Sequence, residues 1–546
     1  MATPTRLKWL LRAPDSVAGV GAFLFACMAF TPSLLPRPWW LQAVVDGFSA
    51  LVGYALFAFG SWLLGSSINW RPSPDFSRRL RWGVWLSMPP LLAVAMLAGQ
   101  NWQREIHLLM GEPPPPDYAW LPIVVASLVI LVLGVLLGRV FVAVSRWVAG
   151  HWLRLLPRRL AAPLSVVIVA LALVLFNNNV LWRQVVSAMD RSMSLQNSLT
   201  RDGVEQPTAP ERSGSPASLV SWRSLGSQGR DFVAGAPSVD KLSRFARAEA
   251  VAPIRVYAGV DSEADAARRA ALVVAELERT GAFDREVLLV VNSTGTGWVE
   301  PGVVEAIEFM YEGDTATASM QYSYLPSWFS FLVDADRARV AGRELFNAVY
   351  DAWLQRPAGQ RPKLLVGGTS LGVLGGEAAF SGLADLRGRT DGVVWAGAPK
   401  AAELHARFVA DRNPGSFERL PVYRDGRTVR FAATGQDLAG QTGEWSRPRV
   451  LYLQNGSDPI VYWDPELAFA RPDWLEEPSA PDVLPEMRWI PFVTFWQVSA
   501  DLPYSLEQPS GHGHDYRYEF IAAWAAVAPP PGWEPEDTAR LEDFLR

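Results

Sequence analysis

The pentapeptide G-T-S-L-G at residues 368–372 lies between an apolar stretch and a run of small residues. The apolar stretch, residues 363–368, predicts a buried strand, and residues 372–380 predict the helix that follows it. A serine in such a sharp turn needs glycine neighbours, because its strained backbone packs closely against other elements. The turn lifts the hydroxyl of Ser370 clear of the sheet, so this residue is a candidate nucleophile for acyl chemistry.

A serine hydroxyl is a poor nucleophile at neutral pH, and it needs a base that a carboxylate orients. Two of the five histidines, His512 and His514, lie in a glycine-containing stretch before a run that predicts a helix over residues 516–527. We assign His514 as the base because it leads directly into that helix. His512 is the alternative base.

The predicted acid is Asp458, which follows a strand-like apolar run at residues 450–453. The sequence N-G-S-D-P at residues 455–459 predicts a tight loop at the carboxyl end of that strand, where catalytic groups gather in α/β sheets. Asp464, six residues further on, is the rival acid. Nucleophile, acid and base then follow one another in the chain order that serine enzymes with this kind of turn use.

The negative charge that develops on an attacked carbonyl oxygen needs hydrogen-bond donors, which form an oxyanion hole. The backbone N–H of Leu371, directly after the nucleophile, is the first predicted donor. The second is predicted in the glycine- and hydroxyl-rich segment 292–298, where Ser293 and Thr294 are the candidates. The alternative is that this segment only caps the helix that follows it.

The composition of the 546 residues argues against several other kinds of site. The net charge of −5 gives no sign of nucleic-acid binding. The single cysteine, Cys27, lies in an apolar run, so neither a disulfide nor a cysteine-metal cluster is expected. Because no P-loop, zinc-protease, EF-hand or dinucleotide-binding pattern is present, we predict neither a metal nor a cofactor.

The first 181 residues predict a transmembrane bundle. Five apolar runs there come close to the length of about 20 residues that a helix needs to cross a bilayer. They are residues 17–35, 43–64, 82–99, 118–137 and 160–181. Many of the 24 tryptophans lie at the ends of these runs, as in the aromatic belts of membrane proteins. The alternative, a set of buried core helices, fits less well because charged loops separate the runs.

The basic residues of the loops predict the topology. Twelve arginine and lysine residues lie in the N-terminal segment and in the loops after the second and fourth runs, whereas the alternate loops carry only Arg37 and Arg104. Basic residues favour the cytoplasmic side, so the N-terminus is predicted there. With five crossings, everything after residue 181 is predicted to lie outside the cytoplasm, in a multi-pass protein of the cytoplasmic membrane.

The rest of the chain predicts a linker and an α/β domain. Residues 182–250 are mostly polar and are assigned to a linker or cap segment. Strand-like and helix-like segments then alternate through a catalytic domain over residues 251–546, which predicts a mostly parallel sheet with helices on both faces. The predicted strands that lead up to and past the serine are residues 254–258, 287–292, 318–324, 364–367 and 392–396.

Five segments carry a resemblance to a known family: residues 32–37, 291–298, 367–376, 455–461 and 511–516. They resemble the bacterial membrane-anchored alpha/beta-hydrolase family, in which a multi-span N-terminal domain precedes a catalytic alpha/beta-hydrolase domain. The likeness covers essentially the whole chain. It implies the fold, the membrane domain and the serine nucleophile, but no particular substrate.

Three functions are therefore compared. The first is a membrane-anchored serine esterase that acts on a lipid or an acylated envelope substrate through an acyl-enzyme. The second is an acyltransferase that moves the acyl group from Ser370 to a glycan or lipid hydroxyl in the envelope, which requires exclusion of water. The third, a non-enzymatic membrane protein with a hydrolase fold, is disfavoured by the full set of triad residues. The lipid bilayer and an acyl ester are the predicted partners, and the oligomeric state is left open.

Overall fold

The computed structural model describes residues 16–67, 74–115, 118–151, 157–176, 182–333 and 335–546. The chain divides into two compact units. The first unit comprises residues up to Ala188 together with two later segments, Asp464–Leu475 and Val483–Tyr504. The second unit comprises Met189–Trp463, Glu476–Asp482 and Ser505–Arg546. The inserted segments of the first unit therefore come from the part of the sequence between Asp458 and His514.

The helices before residue 200 are α1 (Ser16–Met28), α2 (Trp39–Ser67), α3 (Pro74–Leu109), α4 (Trp120–His151), α5 (Arg158–Phe176) and α6 (Trp182–Ser198). Among the described residues, two helices are long and apolar enough to cross a membrane, Trp39–Leu64 within α2 and the whole of α4. The prediction of about five spans is therefore wrong for the described part of the chain. These two helices hint at membrane association and do not fix its side.

The other three predicted spans fail for different reasons. Helix α1 has 13 residues and is about 20 Å long, shorter than the hydrocarbon core of about 30 Å. Helix α3 carries Pro89 and Pro90 within its apolar part and charged residues near both ends. The apolar part of α5 is short, Ala161–Val174. Residues 177–181 of that predicted span lie outside the described residues.

The later helices are α7 (Gly226–Ala234), α8 (Val239–Ala246), α9 (Ala266–Thr280), α10 (Pro301–Met310), α11 (Ser327–Val333), α12 (Ala335–Leu354), α13 (Leu371–Glu377), α14 (Leu383–Arg389), α15 (Glu403–Ala410), α16 (Gly435–Gly440), α17 (Pro459–Tyr462), α18 (Val493–Asp501), α19 (Glu519–Val527) and α20 (Pro535–Leu545). Helix α18 belongs to the first unit, where Trp496 stacks on Phe48 of α2 with 4.6 Å between ring centroids.

Segment 32–37 wraps around the end of α18. The Ser33 hydroxyl donates a hydrogen bond to the Asp501 carboxylate, and Arg37 Nε lies 3.1 Å from the same carboxylate. The Arg37 and Asp501 side chains are fully buried, so each charge needs the other as its partner. Segment 32–37, one of the five that carried the family resemblance, thus binds the later segment Val483–Tyr504 within the first unit.

The second unit contains the predicted parallel sheet, which is confirmed. Its strands are β1 (Ile254–Ala258), β2 (Val287–Asn292), β3 (Thr315–Met320), β4 (Lys363–Thr369), β5 (Gly392–Ala396), β6 (Val429–Ala432) and β7 (Arg449–Leu453). They run in the order β1-β3-β2-β4-β5-β7-β6, and every neighbouring pair is parallel. Strand β4, which leads into Ser370, is the central strand of the seven.

Both faces of the sheet are covered, as β2 shows. Leu288 and Val290 belong to one buried apolar cluster, which includes residues of α9, α12 and α13. Leu289 and Val291 point into the opposite cluster, which includes residues of α10 and α19. Helices on both faces explain why the strands read as continuous apolar runs rather than as alternating patterns. Helices α7 and α8, from the predicted linker, also contribute to the second cluster.

Candidate active site

Ser370 occupies a strained turn between β4 and α13. Its φ of 54° and ψ of −122° lie outside the conformations that residues with side chains usually adopt. The glycine at 372 is required by space, since a Cβ there would lie 2.2 Å from the carbonyl oxygen of Asn292. The predicted strand, turn and helix around the serine are therefore present, and the strain sits on the residue that carries the hydroxyl.

Asp458 and His514 are in direct contact. His514 Nδ1 lies 2.7 Å from Asp458 Oδ2, and both side chains are buried. Asp458 follows β7 and caps α17, where its other oxygen, Oδ1, accepts the Ile460 N–H at 2.8 Å. The helix cap fixes one carboxylate oxygen, so the other is held toward the imidazole.

The end of β5 brings the serine turn and the imidazole to the same place. The Ser370 N–H donates to the Ala396 carbonyl at 3.0 Å. The next residue, Gly397, has a φ of 57°, and a Cβ on it would lie 2.2 Å from His514 Cε1. His514 Nε2 is buried, with no hydrogen-bond partner found among the described residues. That nitrogen can therefore accept a proton.

The two alternative residues lie elsewhere. His512 is only partly buried, and its backbone N–H donates to the Pro509 carbonyl. The contact with Asp458 is made by His514. Asp464 caps the short 3-10 helix Pro465–Ala468 and accepts the Glu466 N–H at 2.7 Å. It belongs to the first unit, whereas the histidines belong to the second.

The loop that carries His514 is clamped onto the loop that carries Asp458. The Gly513 N–H donates to Ser457 Oγ at 2.8 Å, and the Asn455 side chain donates to the Gly513 carbonyl at 3.1 Å. The His514 N–H donates to the Ser505 carbonyl at 2.9 Å. Gly513 has a φ of 53°, so glycine here permits a fixed left-handed turn rather than a flexible loop.

Comparisons with known proteins fit this geometry. The model of the Alpha/beta-hydrolase family matches residues 254–541, which is more than half of the chain. The chain belongs to the alpha/beta-hydrolase family. A second model, described as Alpha/beta-hydrolase family N-terminus, matches residues 30–237. The alpha/beta-hydrolase family that the resemblance implied is confirmed, and these matches do not test the membrane anchoring or the multi-span N-terminal domain.

Two further comparisons add little. A solved structure of Trichoderma reesei cutinase in complex with a C11Y4 phosphonate inhibitor is 15% identical in sequence, with a TM-score of 0.20. The similarity covers 45% of this chain and 90% of the cutinase chain. The search of curated proteins found no match.

The turn at Ser370 lies directly before α13, so backbone N–H groups at the start of that helix follow it. The N–H of Leu371 is the first of α13, and such groups have no acceptor within their own helix. The close approach of Gly372 to Asn292 brings segment 292–298 to the same point. The predicted donors therefore lie on two neighbouring pieces of backbone.

The two candidate hydroxyls in that segment differ. Ser293 Oγ donates to the Met320 carbonyl at 2.7 Å, so its proton is already used. The Thr294 N–H donates to the Trp298 carbonyl at 2.9 Å. Thr294 Oγ1 is buried and has no hydrogen-bond partner among the described residues. Of the two hydroxyls, that of Thr294 is the one without a hydrogen-bond partner among the described residues.

Glu300, which interacts electrostatically with His514, was not predicted from the sequence. It caps α10, and burial raises its pKa to about 7, despite the opposing hydrogen bond from the Gly302 N–H. Asp515 raises the pKa further, while Arg517 and His514 lower it.

Glu377, at the end of α13, is the second buried carboxyl that was not predicted. Burial raises its pKa to about 7, although the Tyr452 hydroxyl and the N–H groups of Leu404 and His405 donate to it. These bonds fasten the serine helix to β7 and α15. The sequence alone does not reveal that Glu300 and Glu377 are buried, because their burial depends on elements that are far apart in the chain.

No group of three or more histidine, cysteine, aspartate or glutamate side chains that could hold a metal ion is found within the described ranges. At the ends of β4, β5 and β7 the structure brings together the turn of Ser370, the imidazole of His514 and the carboxylate of Asp458.

Proposed function

We propose that the protein is a serine esterase in which Ser370, His514 and Asp458 form a catalytic triad. The single observation that supports this most strongly is the 2.7 Å contact between His514 Nδ1 and the buried Asp458 carboxylate. His514 Nε2, the opposite nitrogen of the imidazole, has no hydrogen-bond partner among the described residues. The strained turn at Ser370 adds further support for nucleophilic acyl chemistry.

In the proposed reaction, Ser370 Oγ attacks the ester carbonyl and its proton passes to His514 Nε2. The N–H of Leu371 and the hydroxyl of Thr294 stabilise the negative oxygen of the tetrahedral intermediate. The intermediate collapses when the C–O bond to the alcohol breaks, and the alcohol takes the proton from His514. A water molecule then repeats the sequence on the acyl-enzyme and releases the acid, while Asp458 holds the imidazole throughout.

We further propose that the esterase is anchored in the bacterial inner membrane and acts on lipids or acylated envelope molecules. Two findings support membrane association, the candidate spans in α2 and α4. Within the described structure, only 6% of the span in α4 is buried, and Leu121 and Leu137 are both more than two-thirds exposed. If the N-terminus lies in the cytoplasm, as its basic residues predict, a catalytic unit outside the cytoplasm requires an odd number of crossings. At least one crossing besides these two helices would then be needed.

The acyltransferase proposal uses the same three residues, so kinetics with an acceptor must separate it from hydrolysis. We would incubate the purified protein with p-nitrophenyl esters of increasing chain length, with and without glycan or glycerol acceptors. An esterase releases free acid at a rate that the acceptor does not change. An acyltransferase forms acylated acceptor and releases little acid without it. If a folded enzyme forms neither free acid nor acylated acceptor, that result would contradict the proposed acyl chemistry.

A further inference from the structure

The Tyr516 hydroxyl contacts the same carboxylate oxygen as the imidazole. It lies 2.6 Å from Asp458 Oδ2, the oxygen that is 2.7 Å from His514 Nδ1. Tyr516 is almost completely buried, at 1% exposed, and Asp458 is fully buried. Two donors therefore converge on one oxygen atom in a place that solvent does not reach.

The direction of the tyrosine hydrogen bond follows from the carboxylate, because an ionised carboxylate can only accept. The Tyr516 hydroxyl therefore donates to Asp458 Oδ2. The Tyr516 oxygen also accepts the backbone N–H of Asn455 at 3.0 Å, which fixes the position of the hydroxyl.

We propose that Tyr516 is a positioning residue for the base: its hydrogen bond orients the Asp458 carboxylate and shares the negative charge that would otherwise act on His514 alone. This inference rests on the proposed triad. A carboxylate that already accepts a strong hydrogen bond attracts an imidazolium less. The tyrosine thereby tunes how readily His514 keeps the proton that it takes from Ser370.

Other charged groups also face this pair. Glu300, at the cap of α10, interacts electrostatically with His514, and Asp515 and Arg517 act on Glu300 in turn. Tyr462 of α17 interacts with Asp458. None of these groups is altered by removing the hydroxyl of Tyr516, so a change in the pH profile of that variant reports on the hydroxyl.

The first variant is Tyr516→Phe, which keeps the ring and its edge-on contact with His514, 5.7 Å between centroids. We expect kcat to fall about 10-fold with KM unchanged, the size of one charge-assisted hydrogen bond. We also expect the low-pH limb of the kcat/KM profile to move to higher pH. The matched control is Tyr311→Phe, which removes a buried hydroxyl that donates to the Ala528 carbonyl at 2.9 Å.

The second variant carries 3-fluorotyrosine at position 516, a more acidic phenol that donates more strongly. We expect its low-pH limb to move in the opposite direction, to lower pH. A role in packing alone predicts no shift in either variant, or the same shift in both, and either result would overturn the proposal. Opposite shifts with an unshifted Tyr311→Phe control would support it.

Labelling by a fluorophosphonate separates this proposal from the triad on which it rests. The rate of labelling is measured against pH in each variant, because it depends on the same base and needs no knowledge of the natural substrate. A wild-type enzyme that is not labelled overturns both proposals. If the wild-type enzyme is labelled on Ser370 and the Tyr516 variants show the same pH profile of labelling as the wild type, only the proposed role of Tyr516 is overturned.

Discussion

The imidazole of His514 lies directly against the α-carbon of Gly397, where a Cβ would come within 2.2 Å of Cε1 and 2.6 Å of Nδ1. Gly397 follows β5, and its neighbour Ala396 accepts the N–H of Ser370. One glycine therefore lets the base approach the serine turn. Its φ of 57° adds a second reason for glycine, since a side chain would be strained there.

Gly397→Ala should displace the imidazole from its contact with Asp458. We expect a loss of about 10²-fold or more in kcat/KM, the size of effect that a displacement of about 1 Å can have. The measurement is ester hydrolysis together with thermal unfolding. The matched control is Gly359→Ala, at a position where a Cβ would meet nothing within 4 Å. Equal activity in both variants would contradict the proposed position of the base.

The oxyanion donors give a second prediction. Thr294→Ala should lower kcat about 10²-fold with little change in KM, because the donor acts on charge that develops in the transition state. Thr294→Ser keeps the hydroxyl and should retain most of the activity. Ser293→Ala should instead lower the melting temperature, since that hydroxyl donates to Met320. A reversed pattern would assign the donor to Ser293.

The choice of base and acid gives a third prediction. His514→Ala should remove nearly all turnover, and His512→Ala should leave most of it, because of these two histidines it is His514 that contacts Asp458 in the described structure. Asp458→Asn should lower turnover by about three to four orders of magnitude, since the imidazole loses its orienting partner. Asp464→Asn, at a helix cap in the other unit, should have a small effect. All four are measured on one ester substrate.

The buried carboxyl of Glu300 predicts how stability depends on pH. Burial raises its pKa from 4.5 to about 7, so between these values the folded state holds a proton that the unfolded state has lost. The contribution of Glu300 to the free energy of unfolding is therefore fully present below about pH 4.5 and is lost as pH rises through about 7. For this group the loss is on the order of 1–3 kcal/mol. Glu300→Gln should remove that part of the pH dependence, which melting temperatures at pH 5 and pH 8 would show.

Much of the α/β unit could be predicted because its strands are buried on both faces. Strands β1 and β2 have the predicted bounds, since continuous apolar runs mark such strands clearly. Strand β3 begins at Thr315, three residues before the prediction, because its small residues give a weak signal. Strand β6, with the short sequence V-R-F-A, was not predicted. Helix α19, predicted over residues 516–527, begins at Glu519.

The residues that the sequence did not reveal depend on contacts between distant parts of the chain. Tyr516 reaches Asp458 across 58 positions, and Asp501 reaches Ser33 across 468. Gly397 matters only because His514 folds against it. The membrane prediction failed in part for a simpler reason, since hydropathy does not show where a helix such as α1 ends.

The central claim is that Ser370 is the nucleophile, and covalent labelling tests it most directly. The protein is treated with a fluorophosphonate, digested and mapped by mass spectrometry, alongside a folded Ser370→Ala variant. We predict one phosphonylated site, on the peptide that contains Ser370, and none in the variant. An adduct on another residue, or undiminished labelling of Ser370→Ala, would contradict the account.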